Sequence, residues 1–390
     1  MAMTGVIFQP PNLDEREQEV IDTIASLRTQ LRFNIAEPRR WTGSLRRLSF
    51  ARNVQGSNSI EGYVASLDDA VAVVDAEAPT DADEQTRRAL EGYRTAMTYV
   101  LQLCSVPKPF VYSSPLIQAL HFMMTSFDLA NRPGLWRSGP IYVRNESTNT
   151  TVYEGPDVDD VPVLMEHFLE TLTATRDDSI VSAAMAHLNL VMIHPFRDGN
   201  GRMARGLQSL VLGRSGQTLS PVFLSVEEYL GRNTSAYYDV LAETGAGSWN
   251  PSRDTRAWIR FMLTAHLRQA RTYQQRVHDY ERLWVELARM LGRGDEFRAL
   301  PSLMDAALGL RVTRATYSKL ADDNDDTISD QSATRDLREL VDQGLLVPHG
   351  EKRGRYYSGS PTLRAVWGDI VKARPHRDDT DPFAESGGAK

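Results

Sequence analysis

The chain has 390 residues and a mass of 43.7 kDa, which is more than one ordinary core holds and favours two or three domains. With 41% hydrophobic and 24% charged residues, the composition excludes a fibrous or wholly disordered chain. The net charge of −7 argues against a surface that binds nucleic acid throughout. The single cysteine, Cys104, excludes an intrachain disulfide and a cysteine-based zinc cluster.

The sequence predicts neither a membrane span nor a secretory signal. The longest stretches without a charged residue, 109–127 and 179–196, both contain Pro, Ser and His. The N-terminus has only a short apolar run at 6–8 before Asp14 and Glu15. We therefore expect a cytoplasmic protein with no membrane partner.

Apolar residues three and four positions apart predict a mainly α-helical fold. In the N-terminal part, a polar break is expected at 56–59, after the second of five helices. These helices are predicted at 13–34, 45–54, 67–74, 83–103 and 116–129.

Two short β-prone runs, 141–143 and 151–153, flank a polar stretch and predict one β-hairpin within the helical protein. An isolated two-stranded hairpin is marginally stable, so we expect it to pack on another element or to accept a partner strand. The helices predicted after it lie at 161–175, 180–193, 201–212, 226–244 and 253–291.

The C-terminal part has a different pattern. Three short helices are predicted at 301–308, 313–320 and 329–343, followed by strands at 345–347 and 355–358. Three helices closed by a β-hairpin are typical of a winged helix-turn-helix domain. From residue 375 onward, the polar composition predicts a flexible tail.

The most informative segment, residues 194–205, reads His-Pro-Phe-Arg-Asp-Gly-Asn-Gly-Arg-Met-Ala-Arg. Pro195 disfavours helical backbone at His194, so the preceding helix should end near 193 and continue into a loop. Gly199 and Gly201 allow a sharp turn and a close approach of the backbone to a ligand. We interpret Phe196 as an apolar anchor that fixes this loop to the core.

Two arginines begin the next helix, where the helix dipole disfavours cations. Arg202 and Arg205 lie three residues apart on one face, and the apolar stripe of the helix faces elsewhere. Together with free first-turn amides they predict a site for several phosphates in a row. Asp198 is an oxygen ligand suited to Mg²⁺, or else a helix cap, and His194 can remove a proton from a hydroxyl.

These residues resemble the complete motif of the Fic domain, His-Pro-Phe-x-Asp-Gly-Asn-Gly-Arg-x-x-Arg. Members of that family transfer the AMP part of ATP to Ser, Thr or Tyr hydroxyls of proteins. A looser resemblance covers 133–137 (PGLWR) and the hairpin, which is similar to the family's flap that holds a target segment as an added strand. The flap residues implied are Ile141, Tyr142, Val143, Thr151, Val152 and Tyr153. His187 fits the family's helix pattern, but we interpret it as a packed or hydrogen-bonded core residue.

The resemblance implies a role for each position of the loop. His194 would be the general base, and Asp198 would hold Mg²⁺. Asn200 and the backbone of Gly199 and Gly201 would cradle phosphates. Arg202 and Arg205 would compensate the charge of the β- and γ-phosphates of ATP.

A second resemblance lies upstream, where residues 57–62 read Ser-Asn-Ser-Ile-Glu-Gly. This is similar to the family's inhibitory motif, Ser/Thr-x-x-x-Glu-Gly/Asn, with Ser57, Glu61 and Gly62 at its fixed positions. The implied resting state has the Glu61 carboxylate paired with Arg205 in the place of the γ-phosphate. Taken singly, Glu61 is instead a solvated surface acid, and in some relatives the same glutamate is thought to assist removal of AMP.

The sequence thus predicts a mainly α fold with a Fic-type helical core, a small β-hairpin flap and a C-terminal winged helix-turn-helix. The expected divisions are an N-terminal helical region with the inhibitory motif (1–106), a catalytic core (107–294), a winged helix (295–374) and a tail (375–390). The expected partners are ATP with Mg²⁺, hydroxyl-bearing target proteins or the chain itself, and a second copy in a homodimer.

A different class of function stays open, namely a DNA-binding regulator whose Fic module senses a nucleotide without turnover. An intact His194 argues against it, because sensing requires no base. Residues 301–360 carry eight basic and ten acidic residues, and only the wing at 352–355 is locally basic. This pattern favours protein docking or oligomer contact at least as much as DNA binding. Transfer of a different phosphate-containing group is a further alternative.

Overall fold

The computed structural model describes residues 7–36, 39–107, 109–145, 150–175, 179–215, 219–292, 297–323, 326–376 and 380–384. It is mainly helical with two small sheets, as the sequence predicts. The helices of the N-terminal half are α1 (Glu15–Ala36), α2 (Arg40–Ile60), α3 (Leu67–Val74), α4 (Glu84–Cys104), α5 (Ser114–Thr125) and α6 (Val161–Ala174). Those that follow are α7 (Ser179–Ile193), α8 (Asn200–Arg214), α9 (Glu227–Arg232), α10 (Thr234–Gly245) and α11 (Arg256–Leu291). No helix of the described residues is both long and apolar enough to cross a membrane.

The predicted hairpin is present as β1 (Tyr142–Asn145) and β2 (Thr150–Glu154), paired antiparallel with a bulge between Val143 and Arg144. A short strand, β3 (Gly247–Ser248), adds in parallel to the other side of β2. This third strand supplies the support that the hairpin was expected to need. Because the strand order is β1-β2-β3, β1 forms one edge of the sheet.

Helices α7 and α8 lie at the centre of the core, and the N-terminal helices pack on α8, α9 and α11. Helix α4 contacts α8, α2 contacts α9, and α1 runs along α11. Ahead of α1, Phe8 is buried, and its backbone exchanges two hydrogen bonds with the side chain of Asn189 on α7, at 2.9 and 3.0 Å. The N-terminal region therefore shares one hydrophobic core with the helices that carry the loop motif.

The polar break predicted at 56–59 is wrong, because α2 continues through it to Ile60. Gly56 is present for packing: a Cβ there would lie 2.6 Å from the carbonyl oxygen of Glu227. Gly231 faces it from the other helix, so α2 and α9 cross at a pair of glycines. The glycine that suggested a break instead allows two helices to touch.

The single helix predicted at 226–244 is also wrong, because α9 and α10 are separate. They are divided at Asn233, whose backbone leaves the helical region. Its side-chain amide donates to the carbonyl of Tyr229 at 2.8 Å and ends α9. Likewise α5 stops at Thr125, before a short 3-10 turn at Leu129–Asn131.

The C-terminal segment, which we define as residues 297–374, contains α12 (Leu300–Ala307), α13 (Arg314–Asp322), α14 (Asp330–Asp342), β4 (Leu346–His349), β5 (Tyr356–Gly359) and α15 (Pro361–Lys372). The order of three helices and an antiparallel hairpin follows the prediction. Helix α15 was not predicted, although Ser360 as its N-cap and Pro361 in its first turn are recognisable start signals.

Part of the predicted flexible tail is held in place. The side chain of Arg16 on α1 donates to the carbonyl oxygens of Pro382 and Ala384 at 3.0 and 2.6 Å. The guanidinium of Arg260 on α11 lies over the ring of Phe383. Residues 380–384 therefore bridge α1 and α11, and a polar composition concealed these contacts.

Candidate active site

The loop between α7 and α8 is fixed to the core by two buried residues, Phe196 and Asn200. Phe196 is fully buried, with its ring stacked on His121 at 3.6 Å between centroids and tilted against Trp136. The side chain of Asn200 accepts from the backbone N–H of Phe196 and donates to its carbonyl, both at 2.9 Å. The anchoring predicted for Phe196 is confirmed. We expected the side chain of Asn200 to contact phosphates, but it forms hydrogen bonds within the loop. The backbone of Asn200 lies in the first turn of α8.

Two buried residues that the motif does not contain hold the loop from its sides. The His121 ring accepts from the N–H of Gly134 at 2.9 Å, and its other nitrogen lies 2.8 Å from the carbonyl oxygen of Asp198. Burial lowers the pKa of His121 to about 4, so the ring is neutral and donates to that carbonyl. No spacing in the sequence connects His121 with the motif.

Arg137 joins the loop to the base of the hairpin. Its guanidinium donates to the carbonyl oxygens of His194, Gly139 and Pro156 at 3.0, 2.8 and 2.6 Å. Its backbone N–H donates to the carbonyl of Pro195 at 2.8 Å. Burial lowers its pKa, which remains far above neutrality. The sequence 133–137 thus contributes, through Arg137, the connection between the hairpin and the loop.

His194 leaves the end of α7 with a left-handed backbone, at φ 51°. Its Nδ1 lies 3.0 Å from the carbonyl oxygen of Val191 and donates to it, which leaves Nε2 as the unprotonated nitrogen. Burial lowers the pKa of His194, although the nearby Glu61 and Asp198 act in the opposite direction. The ring is thus neutral at physiological pH and able to accept a proton at Nε2.

Glycine is required at position 199. Gly199 has φ 75°, and a Cβ there would lie 2.7 Å from Cγ2 of Thr125. It is the N-cap of α8 and has no side chain that could bond to the first-turn amides. The alternative that Asp198 caps this helix is therefore wrong.

Arg202 and Arg205 are both about 1% exposed, which is unusual for cations. Arg202 lies under the rings of Tyr63 and Phe127, and its nearest carboxylate oxygen, on Asp198, is 3.6 Å away. Three of the guanidinium nitrogens are buried without a hydrogen-bond partner among the described residues: Nε and Nη1 of Arg202 and Nη1 of Arg205. Because leaving buried donors unpaired is costly, these atoms point to an anionic ligand.

The sequence 57–62 reaches this cluster from the end of α2. Glu61 caps that helix, and Gly62 (φ 84°) allows the chain to turn back, with Tyr63 N–H donating to the carbonyl of Asn58. This is a Schellman motif, which needs glycine because its left-handed position disfavours a side chain. The turn leaves the carboxylate of Glu61 free to reach α8.

Arg205 donates hydrogen bonds to Ser57 and Glu61, which lie at the two ends of the upstream motif. It donates from Nη2 to Glu61 Oε1 at 2.6 Å and to the carbonyl oxygen of Ser57 at 2.9 Å, and from Nε to Ser57 Oγ at 2.8 Å. The carboxylate lies against the first turn of α8, since a Cβ on Gly201 would collide with Glu61 Oε1. Burial raises the pKa of Glu61, but Arg205 and Arg202 outweigh it and hold this pKa below its usual value. A helix N-terminus with two arginines thus already holds a carboxylate.

The remaining predicted residues divide between the interior and the surface. His187 is fully buried between Gln208 Oε1 at 2.6 Å and the Tyr237 hydroxyl at 2.8 Å, so its structural interpretation is confirmed. Tyr153 is buried and donates to the carbonyl of Met192, so it anchors the hairpin. Among the other residues predicted to form a flap, Tyr142 and Thr151 are exposed, while Ile141, Val143 and Val152 are half-buried.

Comparison with known proteins finds a family model that matches the part of the chain that carries this site. The chain matches the model of the Fic/DOC family over residues 112–212. It is 27% identical over 218 residues to a protein named protein adenylyltransferase Fic from Aedes aegypti, covering 55% of this chain and 40% of that protein. It is 39% identical over 112 residues to protein adenylyltransferase fic-1 from Caenorhabditis briggsae, covering 26% and 20%. The alignments thus span less than half the length of these relatives.

A solved structure shows the same fold over most of the chain. It is a Fic family protein from Desulfovibrio desulfuricans G20, 22% identical, with a TM-score of 0.60. The match covers 91% of this chain and 99% of that one. At this identity the likeness concerns the fold alone.

Proposed function

We propose that this protein is an autoinhibited protein adenylyltransferase that transfers AMP from ATP to Ser, Thr or Tyr hydroxyls of target proteins or of itself. The observation that carries the proposal is the Glu61 carboxylate, bound to Arg205 against the first turn of α8 and next to a complete Fic loop. This contact supports both the anion site and its occupation by the chain's own residue.

The anion site suits the phosphates of ATP. The unpartnered nitrogens of Arg202 and Arg205 need acceptors, and phosphate oxygens are strong ones. The first-turn amides of α8 and the glycines at 199 and 201 let a phosphate chain come close to the backbone. In this proposal the γ-phosphate takes the position that Glu61 now holds.

The residues present also fit Mg²⁺. Asp198 is 44% exposed on its side chain and adjoins Arg202, so one carboxylate oxygen is accessible at the phosphate site. Among the described residues no cluster of three or more His, Cys, Asp or Glu could hold a metal alone. Mg²⁺ usually takes one or two carboxylates and completes its shell with phosphate oxygens and water. When bound, it would neutralise phosphate charge.

The chain's own chemistry is positioning and proton transfer. His194 Nε2 takes the proton of the target hydroxyl, whose oxygen attacks the α-phosphorus while pyrophosphate leaves. The hydrogen bond from Nδ1 to Val191 and the grip of Arg137 on the His194 carbonyl keep the ring oriented. Such preorganisation should supply most of the rate.

The hairpin is the proposed place for the target. Strand β1 lies at the edge of the three-stranded sheet, and an extended target segment would add there by backbone hydrogen bonds. Tyr153 and Arg137 fix the hairpin relative to the loop. The exposed Tyr142 would contact the added segment.

Further proposals concern the division of the chain. We propose residues 1–106 as the inhibitory region, 107–294 as the catalytic core and 295–374 as a winged helix, supported by the order of α12, α13, α14, β4 and β5. The boundary between the inhibitory region and the catalytic core is functional and not structural, since the two regions share one hydrophobic core.

The test is incubation of wild type and Glu61→Gly with Mg²⁺ and ATP, followed by intact-mass measurement of the protein and of added lysate proteins. We expect an AMP adduct that forms much faster with Glu61→Gly. The same variant carrying His194→Ala should form none. Equal adduct formation in wild type and Glu61→Gly would contradict the autoinhibition, and absence of adduct in both would contradict the transferase.

A further inference from the structure

The turn that carries Glu61 lies between two helices that are both fastened to the C-terminal segment. Helix α2 ends at Ile60 and α3 begins at Leu67, so residues 61–66 alone join them. Side chains of both helices form ion pairs with the C-terminal segment. These contacts flank the inhibitory turn on either side along the chain.

On the α2 side, the central residue is Arg47. Its guanidinium binds Asp305 of α12 and also Asp75 at the end of α3, and all three side chains are at least nine-tenths buried. Lys319 of α13 binds the same Asp75 at 2.8 Å. Near the start of α2, Arg40 pairs with Asp326 at 2.5 Å.

On the α3 side, the partner is Arg311, in the connection between α12 and α13. Its backbone N–H donates to Asp68 Oδ1 at 2.8 Å, and its guanidinium lies 3.3 Å from the other oxygen of that carboxylate. The guanidinium also binds Asp81 at 2.7 Å. The C-terminal segment therefore holds the helix before the turn and the helix after it.

Helix α2 connects this interface with the active site. Arg47 and Ser57 lie on one continuous helix, about 15 Å apart at 1.5 Å per residue. Between them, Gly56 meets α9 at the glycine crossing, where the two helix backbones approach each other closely. A small rotation of α2 about this crossing would move Arg47 and Glu61 in opposite directions, while Ser57, next to the pivot, would move least. A shift at Arg47 therefore changes the fit of Glu61 on Arg205.

We propose that the C-terminal segment regulates the active site by holding α2 and α3 so that Glu61 stays on Arg205. A partner or ligand that loosens the segment from Arg47 and Asp68 would release the inhibitory turn. This inference rests on the proposed function, because it assigns a control to the same Glu61 contact. Buried ion pairs suit such a control, since removing one partner is far more disruptive than the net stability of the intact pair suggests.

The experiment compares ATP affinity, measured by titration calorimetry, in the full chain and three variants. Asp305→Asn removes the charge that Arg47 binds on α12, and Arg311→Ala removes the guanidinium on the α3 side. The matched control is Arg374→Ala, which breaks a pair between the same segment and Asp279 on α11 without touching α2 or α3. Arg311 and Arg374 are similarly exposed, at 28% and 34% of their side chains.

We expect Asp305→Asn and Arg311→Ala to bind ATP more tightly than wild type, on the order of fivefold, a usual size for coupling between sites. Arg374→Ala should bind as wild type does. In a Glu61→Gly background the two interface changes should have no further effect, because the contact that they loosen is already absent. Hydrogen exchange of residues 57–62 should rise in the two interface variants alone.

The outcomes separate this inference from the proposed function. If Glu61→Gly tightens ATP binding while both interface variants match the Arg374→Ala control, the inference is wrong and the proposed function stands. If Glu61→Gly itself leaves ATP binding and transfer unchanged, the proposed function fails. Arg311→Ala, whose side chain is partly exposed, keeps the test decisive if Asp305→Asn does not fold.

Discussion

Glu61 and Arg205 lie 144 residues apart in the chain, and the carboxylate accepts a hydrogen bond from the guanidinium at 2.6 Å. The two residues come together because Gly62 ends α2 with a left-handed turn and Gly201 leaves room beside the first turn of α8. The arginine is nearly inaccessible to solvent, whereas the Glu61 side chain is 21% exposed. The carboxylate is thus the part of the pair that a competing anion can reach and displace.

Replacing Glu61 with Gln should release the site only in part. The amide keeps the shape and one hydrogen bond to Arg205 but loses the charge that now balances two arginines. We expect ATP affinity to rise by roughly tenfold, or about 1.4 kcal/mol, with Glu61→Gly exceeding it. Titration calorimetry with ATP on the three proteins measures this order, and a Gln variant identical to wild type would show that charge does not hold the contact.

His194→Ala should separate binding from chemistry. In the Glu61→Gly background, the loss of the base should reduce AMP transfer by about 10²- to 10⁴-fold, the usual contribution of general base catalysis. ATP affinity should change little, because the imidazole is assigned to the hydroxyl and not to the phosphates. His278→Ala, an exposed histidine on α11, is the control and should transfer AMP as the parent does. Transfer by the His194 variant at the parental rate would remove His194 from the mechanism.

Two glycines of α2 should respond in opposite ways to alanine. Gly56→Ala places a Cβ 2.6 Å from the carbonyl oxygen of Glu227, so α2 and α9 must separate. We expect a loss of about 1–3 kcal/mol in the free energy of unfolding, as for other overpacked sites. Gly43 lies on the same helix with no atom within 4 Å of its Cβ position, and Gly43→Ala should gain about 0.5–1 kcal/mol from helix propensity. Urea unfolding measures both, and a neutral Gly56→Ala would mean that the helices do not touch there.

Much of the fold and the loop could be predicted from sequence because the signals are local. Helical spacing located α3 at 67–74, as observed, and Pro195 correctly ended α7 at Ile193. The predicted break at 56–59 was wrong because a glycine in a helix reads the same whether it ends the helix or admits a neighbour. Only the position of α9, supplied from far along the chain, distinguishes the two.

The rest of the candidate site depends on contacts between distant segments. His121 holds the loop by a hydrogen bond to the backbone carbonyl of Asp198. Every residue has such a carbonyl, so the sequence does not indicate this contact. Arg137 likewise binds three backbone carbonyls, and these contacts are invisible in the sequence for the same reason. At Asn200 the motif indicates that a side-chain amide is needed, but only the structure shows what the amide binds. It forms hydrogen bonds with the backbone of Phe196.

The buried histidine His187 predicts a loss of stability in acid. Burial lowers its pKa from 6.5 to about 3, so the native ring stays neutral over a range in which the unfolded chain binds a proton. Because the unfolded state then holds more protons, the free energy of unfolding falls as the pH drops from about 6.5 toward 3. Between pH 7 and pH 5 this residue alone should cost about 2 kcal/mol.

The measurement is urea unfolding of wild type and His187→Gln at pH 7 and pH 5. Gln does not titrate, so the variant should be less stable than wild type at pH 7 but lose about 2 kcal/mol less on acidification. The buried histidines His121 and His266, whose pKa values are also lowered, contribute equally to both proteins and cancel in the comparison. If the two proteins lose the same free energy between these pH values, His187 is not held neutral. Its hydrogen bonds to Gln208 and Tyr237 would then have to accommodate an imidazolium.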